Sequence, residues 1–480
     1  MTSSRPRFEP LPCVDINLPA LSSSWKPLLW SAADFPPEIF ESAVSQLVNH
    51  PEYNSTLILR SEIIAETSDE FPAAIPALDG LTPIKTIHRR LLPRRPTRDA
   101  ALEQYCTLYG LDGTPSTLVL TPIIPNGGSL PYYHPPVSNL AFRYLETTPP
   151  TLRVEMILLS PDETPTDPNS RLYRTGLALL DAIHRYGWGV LSNYQKRVNH
   201  DRVVAREAYQ DLYLIMREKF KHIVDNWVET TDPLKHVFED IGIATFLMVL
   251  WRDTYPALDA SHPDEPWRGW GRPPGGFLDF GCGNGLLTHI LLSCGYIGRG
   301  VDLRARNSWS TYPQSTQDHL VLDSFNPSIL ETTQSIFSTP DQFVIANHAD
   351  ELTPWTPILA TLTRASGFIN IPCCPWVLDA RFQREKGPGQ PVPLETLNLG
   401  AGAGISSGYV QYRMWLAQLC QHCGWEIECE MLRIPSTRNW AIVARRQTDG
   451  IDAKANAEEI LETINERGSF KPRKPEGKAH

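Results

Sequence analysis

The residues best suited to chemistry lie in one short stretch, Phe277-Leu-Asp279-Phe-Gly281-Cys-Gly283-Asn284-Gly285. A short apolar run leads into an acid and then into glycine at every second position. Leu286-Leu-Thr288-His289-Ile-Leu-Leu292 follows, with the look of an amphipathic helix. Strand, glycine turn and helix form the nucleotide-binding corner of an α/β sheet, where glycines let backbone approach a ligand that a Cβ would obstruct. A dinucleotide fingerprint needs a third glycine where this chain has Leu286. The D-x-G-x-G-x-G spacing suits S-adenosyl-L-methionine, which has no pyrophosphate to cradle. Asp279, Gly281, Gly283, Asn284 and Gly285 are the expected cofactor-binding set of this loop.

The next strands extend that set. Asp302 closes Gly298-Arg-Gly-Val-Asp302, where a carboxylate can accept hydrogen bonds from both ribose hydroxyls. Asp323 closes Leu320-Val-Leu-Asp323, at the level expected for adenine recognition. Phe343-Val-Ile-Ala-Asn347 runs into His348-Ala-Asp350-Glu351-Leu-Thr353-Pro-Trp355. Ligands collect at the carboxyl ends of strands in such sheets, so Asn347 is assigned to the cofactor, and His348 and Asp350 are the catalytic candidates. Either could take a proton from an attacking hydroxyl or orient it. Glu351 reads as an acid at a helix start, complementing its dipole.

Other groupings carry less. Cys373-Cys374 ends the following strand, Phe368-Ile-Asn-Ile-Pro372, and shapes a site rather than holding a metal, because adjacent cysteines cannot chelate tetrahedrally by themselves. Cys420-x-x-Cys423 with Cys429 lies in a helical pattern with no evident fourth ligand, so no metal is expected. Gly400-Ala-Gly-Ala-Gly404 has no strand before it and no Lys-Ser/Thr after it, and reads as a mobile insertion over the ligand side.

Positioning these residues requires a parallel sheet. From 277 to 371 short strands and helices alternate, with helices at 409–423 and strands at 425–433 and 440–445 as an antiparallel edge. The expected fold is α/β, a Rossmann-like methyltransferase sheet with helices on both faces. Residues 1–170 carry much of the chain's proline and alternate apolar with polar residues around 142–146 and 152–159, which predicts an irregular α+β extension. Residues 171–265 read as helical, with Asp232-Pro233 opening one helix; 266–447 form the catalytic domain and 448–480 a tail.

Bulk composition bounds the rest. Apolar content of 41% allows a sizeable core, and the net charge of −10 excludes a polycation, so nucleic acid would have to meet local patches. Those are Arg89-Arg90 with Arg94, Arg95 and Arg98; Lys196-Arg197 with Arg202; Arg299 with Arg304 and Arg306; and a basic C-terminal end. No leader-like apolar run opens the sequence, and Ile241–Trp251 is too short to span a bilayer. Nine cysteines without a framework fit a reducing compartment.

With these residues in place, the chain resembles the tRNA (uracil-2′-O-)-methyltransferase family, which modifies uridine 44 of serine tRNAs. The resemblance is carried by Tyr194-Gln-Lys-Arg-Val-Asn-His-Asp201, Asp232-Pro-Leu-Lys-His-Val-Phe-Glu-Asp240, the 279–286 loop, Asn347–Trp355, Ile371-Pro-Cys-Cys374 and Arg433-Ile-Pro-Ser-Thr-Arg-Asn439. It covers roughly residues 175 to 445. It implies S-adenosyl-L-methionine as methyl donor, a serine tRNA as acceptor, no DNA or membrane partner, and a cytoplasmic location. The alternatives from other classes are methylation of a protein or small molecule on the same fold, and a non-catalytic tRNA-binding factor.

Overall fold

The computed structural model describes residues 5–13, 20–124, 128–160, 166–194, 199–258, 265–333, 335–383, 396–399 and 407–468. The glycine-rich 400–404 insertion, Lys196-Arg197 and the basic end beyond 468 lie outside them. The chain divides into two compact units, Met1–Gln195 and Lys196–His480.

The first unit is one antiparallel sheet of eight strands: β1 (Leu11–Pro12), β2 (Lys26–Ala32), β3 (Ile58–Thr67), β4 (Thr82–Pro93), β5 (Leu102–Leu111), β6 (Thr114–Ile123), β7 (Val137–Leu145) and β8 (Thr151–Leu158). Their order across the sheet is β1-β2-β8-β7-β6-β5-β4-β3. Two helices, α1 (Phe40–Asn49) and α2 (Arg171–Leu191), bury apolar stripes against one face. Leu47 and Val44 come from α1, Leu172, Leu180 and Ile183 from α2, and Leu28, Leu118 and Val154 from the strands. Ser170 caps α2 by accepting from Tyr173 N at 3.0 Å.

The N-terminal portion is the expected α+β unit, and its sheet runs unbroken because the prolines fall mostly in connections and at strand ends. Helix α2 packs on that sheet, and the first compact unit runs to Gln195.

The second unit is a seven-stranded sheet: β9 (Phe277–Phe280), β10 (Gly298–Asp302), β11 (Leu320–Leu322), β12 (Phe343–Asn347), β13 (Gly367–Ile371), β14 (Trp425–Met431) and β15 (Trp440–Gln447). The order is β11-β10-β9-β12-β13-β15-β14; the first five are parallel to one another, β15 pairs antiparallel with β13, and β14 pairs antiparallel with β15. Successive residues of β9 face opposite ways. Phe277 joins the core under α3 (Arg206–Phe220), α4 (Pro233–Thr254) and α5 (Leu286–Ser293), whereas Leu278 and Phe280 join the core on the other face. The short α6 (Gln314–Gln317) and α7 (Leu330–Thr333) lie in the connections, and α8 (Trp355–Leu362), α9 (Gly408–His422) and α10 (Ala453–Arg467) cover the second face. Helices on both faces are what a parallel sheet needs. The strand order turns outward in both directions from the β9/β12 pair, and the crevice at such a switch point is where ligands bind. No described helix is long and apolar enough to cross a membrane.

Candidate active site

The glycine turn after β9 depends on its glycines. Gly281, Gly283 and Gly285 have φ of +85°, +56° and +74°, a region that costs other L-residues energy. A Cβ on Gly283 would meet no atom within 4 Å, so this position opens onto free space. At Gly281 it would stand 3.5 Å from Ala349 Cβ, where the turn meets the end of β12. The turn is held from behind: Gly283 O accepts from Trp309 Nε1 (2.9 Å), and Asn284 O accepts from Ser308 Oγ (2.8 Å) and Tyr312 Oη (3.1 Å).

Each expected cofactor residue has a definite place. Asp302 sits beside the turn and accepts from Gly283 N at 2.8 Å and Arg304 N at 3.2 Å. Asn284 Oδ1 accepts from Leu286 N at 2.8 Å, a local side-chain turn just before α5. Asp279 is buried beneath the turn and accepts from Thr288 Oγ1 at 2.8 Å. Burial, joined by the Asp302 charge, pushes its carboxyl up to about 7. Asp323 N donates to Asp302 O at 3.1 Å, and Ser335 Oγ lies 3.3 Å from its carboxylate. Asn347 Oδ1 is buried with no partner among the described residues.

The β12 terminus bends sharply. His348 and Asp350 both take left-handed φ, +54° and +46°, a conformation uncommon for such residues and often found at functional sites. His348 N donates to Ile371 O at 3.1 Å. Its Nε2 lies 3.1 Å from Glu239 Oε1 on α4, while Nδ1 is buried without a partner among the described residues. Burial alone would raise the Glu239 carboxyl, but His348, with help from Ser436 and Lys235, holds it below its ordinary value. Cys373 Sγ donates to Asp350 Oδ1 at 3.2 Å, and burial next to that carboxylate raises the thiol pKa. Tyr409 Oη donates to Pro372 O at 2.5 Å, with the Arg438 guanidinium 3.9 Å from its ring centroid. The ends of β12 and β13 thus bring His348, Asp350 and Cys373 together next to the glycine turn.

Comparison with known proteins decides the family. Residues 4–197 match a family model described as "TRM44-like, N-terminal bet v1-like domain", and residues 203–327 one described as "Predicted AdoMet-dependent methyltransferase". A Schizosaccharomyces pombe protein named tRNA (uracil-O(2)-)-methyltransferase is 36% identical, with 88% of this chain and 86% of the relative covered. A Neurospora crassa protein of the same name is 35% identical, covering 89% and 88%. One from Saccharomyces cerevisiae is 31% identical, covering 84% and 83%. The chain belongs to the tRNA (uracil-O(2)-)-methyltransferase family. Its second unit is an S-adenosyl-L-methionine-dependent methyltransferase domain.

The geometry fits that cofactor. Open space at Gly283 and the buried Asn347 Oδ1, without a partner among the described residues, leave room and a free acceptor at this corner of the sheet. The donor atoms of Asp350, Cys373 and Cys374 lie within 4.8 Å of one another, three side chains where a closed tetrahedral metal site takes four and an open one takes three. Cys420, Cys423 and Cys429 are buried in the apolar core, where desolvation raises their thiol pKa values and keeps them inert.

Sequence reasoning gave no role to Glu239 and Asp240, nor to Ser308, Trp309 and Tyr312. A signal existed for the acids. Two adjacent carboxylates precede the Ile241–Leu250 stretch of α4, apolar but for Thr245, and are buried with it, which is unusual without a task.

Proposed function

We propose that the chain transfers a methyl group to the ribose 2′-oxygen of a uridine in tRNA, and that the acceptor is uridine 44 of serine tRNAs in the cytoplasm. The tRNA acceptor comes from the names of the relatives; the position, the serine tRNA and the compartment come from the resemblance in motif. S-adenosyl-L-methionine, when bound, supplies an electrophilic methyl on a sulfonium. The Gly281–Gly285 turn, Asp302, Asp323 and Asn347 hold it, and Asp279 supports the turn from beneath.

The observation that carries the site assignment is the Glu239–His348 pair. With Glu239 accepting from the Nε2 hydrogen, Nδ1 of a neutral imidazole is left as a bare acceptor, buried and without a partner among the described residues. An acceptor so held can receive the proton of an attacking hydroxyl. Asp350, bonded by Cys373 at 3.2 Å, places a carboxylate beside the same strand ends to orient that hydroxyl. Alignment of the reactants supplies the rest of the rate.

The test is purified full chain with labelled methyl donor and total tRNA from cells lacking the protein. The expected product is one 2′-O-methyluridine in serine tRNAs; label entering only protein overturns the reading. His348→Ala and Asp350→Ala should retain donor binding and lose turnover by roughly 100-fold or more. A normal rate in either removes that residue from the reaction.

A further inference from the structure

We propose that the N-terminal unit carries an RNA-docking surface, with Arg94, Arg95 and Arg98 meeting phosphates and Tyr132 with Arg171 receiving an unstacked base. The proposal rests on the reading of RNA as acceptor and gives the first unit its part in it.

The arginines of β4 and of the loop that follows have different fates. Arg89 is buried and bonded to Gln104 Oε1 at 3.0 Å and Val48 O at 2.5 Å, and Arg90 pairs with Glu103 at 2.6 Å. Arg94, Arg95 and Arg98 are exposed, and among the described residues none has an ion-pair partner. Three uncompensated guanidinium groups in five residues, on a chain of net charge −10, form a local anion-attracting site. The loop is also anchored. Arg94 N donates to Leu57 O (2.9 Å), Arg98 N to Arg95 O (3.0 Å), and Tyr133 Oη to Ala100 O (2.8 Å). Fixed backbone lowers the ordering cost of each phosphate contact.

Tyr133 joins this loop to its neighbour in sequence, Tyr132. Tyr132 is 61% exposed, a large aromatic residue left in water. Arg171 lies with its guanidinium carbon 4.3 Å from that ring's centroid and donates to His134 O at 2.9 Å. Beside them is a cavity of about 590 Å³ lined by Leu130, Tyr132, His134 and Arg171 among others. Its volume is in the range of small-ligand pockets. Arg171 and the exposed Arg174 stand in the first turn of α2, which contains no acid. Cations at a helix's positive end cost stability, and a bound anion relieves that cost. Arginines for phosphate and an aromatic face for a base are the two components of single-stranded RNA binding.

The experiment uses the full chain with tRNA transcript, measuring Kd by filter binding from low to high salt and methylation in parallel. R94Q/R95Q/R98Q should weaken tRNA binding on the order of 10-fold or more and flatten the log K against log salt plot by about 2. Tyr132→Ala should weaken binding on the order of 10-fold, with Tyr132→Trp restoring it. Donor affinity and turnover at saturating tRNA should stay at wild-type levels, which also shows that the variants fold. Unchanged Kd and salt slope in variants of a methylating enzyme overturn the docking surface alone. Variants that lose binding in a protein that never methylates tRNA uphold the surface and overturn the proposed reaction. Failure of the wild type to bind tRNA overturns both.

Discussion

Buried charge is treated differently in the Glu155 cluster of the first unit and beside the ends of β9 and β12 in the second. In the first, Glu155 is fully buried, and its carboxylate accepts from Arg143 (2.7 Å), Arg153 (2.8 Å) and Leu21 N (2.9 Å). In the second, Glu239, Asp240 and Asp279 are buried near one another, and desolvation, joined by the charges of Glu239 and Asp279, raises the Asp240 carboxyl well above the ordinary range. Asp279 is answered by the Thr288 hydroxyl rather than by a cation. Among the described residues, buried polar atoms without a partner include those on Asn347, His348, Thr353 and Asn370, on and after β12 and on β13, although the first unit has some as well. Satisfied buried charge marks a polar core that serves the fold. Unsatisfied polar groups at strand ends are retained at a cost in stability, and that cost is characteristic of sites awaiting a ligand.

The sharpest way to break this contrast is Glu155→Leu. Removing the carboxylate takes from the buried Arg153 and partly buried Arg143 the anion that they share, at about 3–5 kcal/mol. That corresponds to a fall of roughly 6–20 °C in the melting transition of the first unit. A melting curve like wild type would show that the Glu155 cluster does not support the fold. Asn347→Leu is the counterpart: melting should hold or rise while donor affinity falls.

Gly283→Trp comes next in size. Methyl-donor affinity should fall by at least about 100-fold, roughly 2.7 kcal/mol, because the indole occupies the open space of the turn. The left-handed φ of +56° adds a stability cost of only about 1–2 kcal/mol. Isothermal titration separates the two, and normal donor binding would sink the assignment of the turn.

What the sequence made legible follows the same division. The β9 turn could be read because local rules act on adjacent residues: a strand, a glycine at each positive φ, then a helix. Strand alternation likewise located β10, β12, β13 and the antiparallel β14–β15 edge. Long-range pairings were not readable. Nothing near Glu239 in sequence reveals that it meets His348, 109 positions away. The bond from Leu286 N to Asn284 Oδ1, which fixes the turn just before α5, was likewise not expected from the sequence. The first unit was hidden for another reason. Its long strands mix buried polar residues such as Arg89, Gln104 and Glu155 into the pattern, which blurs the two-residue period.

The subtlest expected effect is a dependence on pH. Asp279 has a folded-state pKa of about 7 against an ordinary 3.8, so the folded protein holds its proton more tightly than the unfolded chain. Stability from this group is therefore full below about pH 4, falls as pH rises towards 7, and is flat above that. The limiting slope is about 1.4 kcal/mol per pH unit, and relaxation around a buried carboxylate brings the loss between pH 5 and 7 to about 1–2 kcal/mol. Asp279→Asn keeps an acceptor for Thr288 but has no proton to lose, so its stability should be flatter over this window. Asp240 is shifted in the same direction, so the double variant D240N/D279N should be flatter still. Hydrogen exchange of the β9 and α5 amides reads the second unit apart from the first. Equal slopes in wild type and the double variant would mean that these acids are compensated after all, as Glu155 is, and the contrast between the units would fail at its centre.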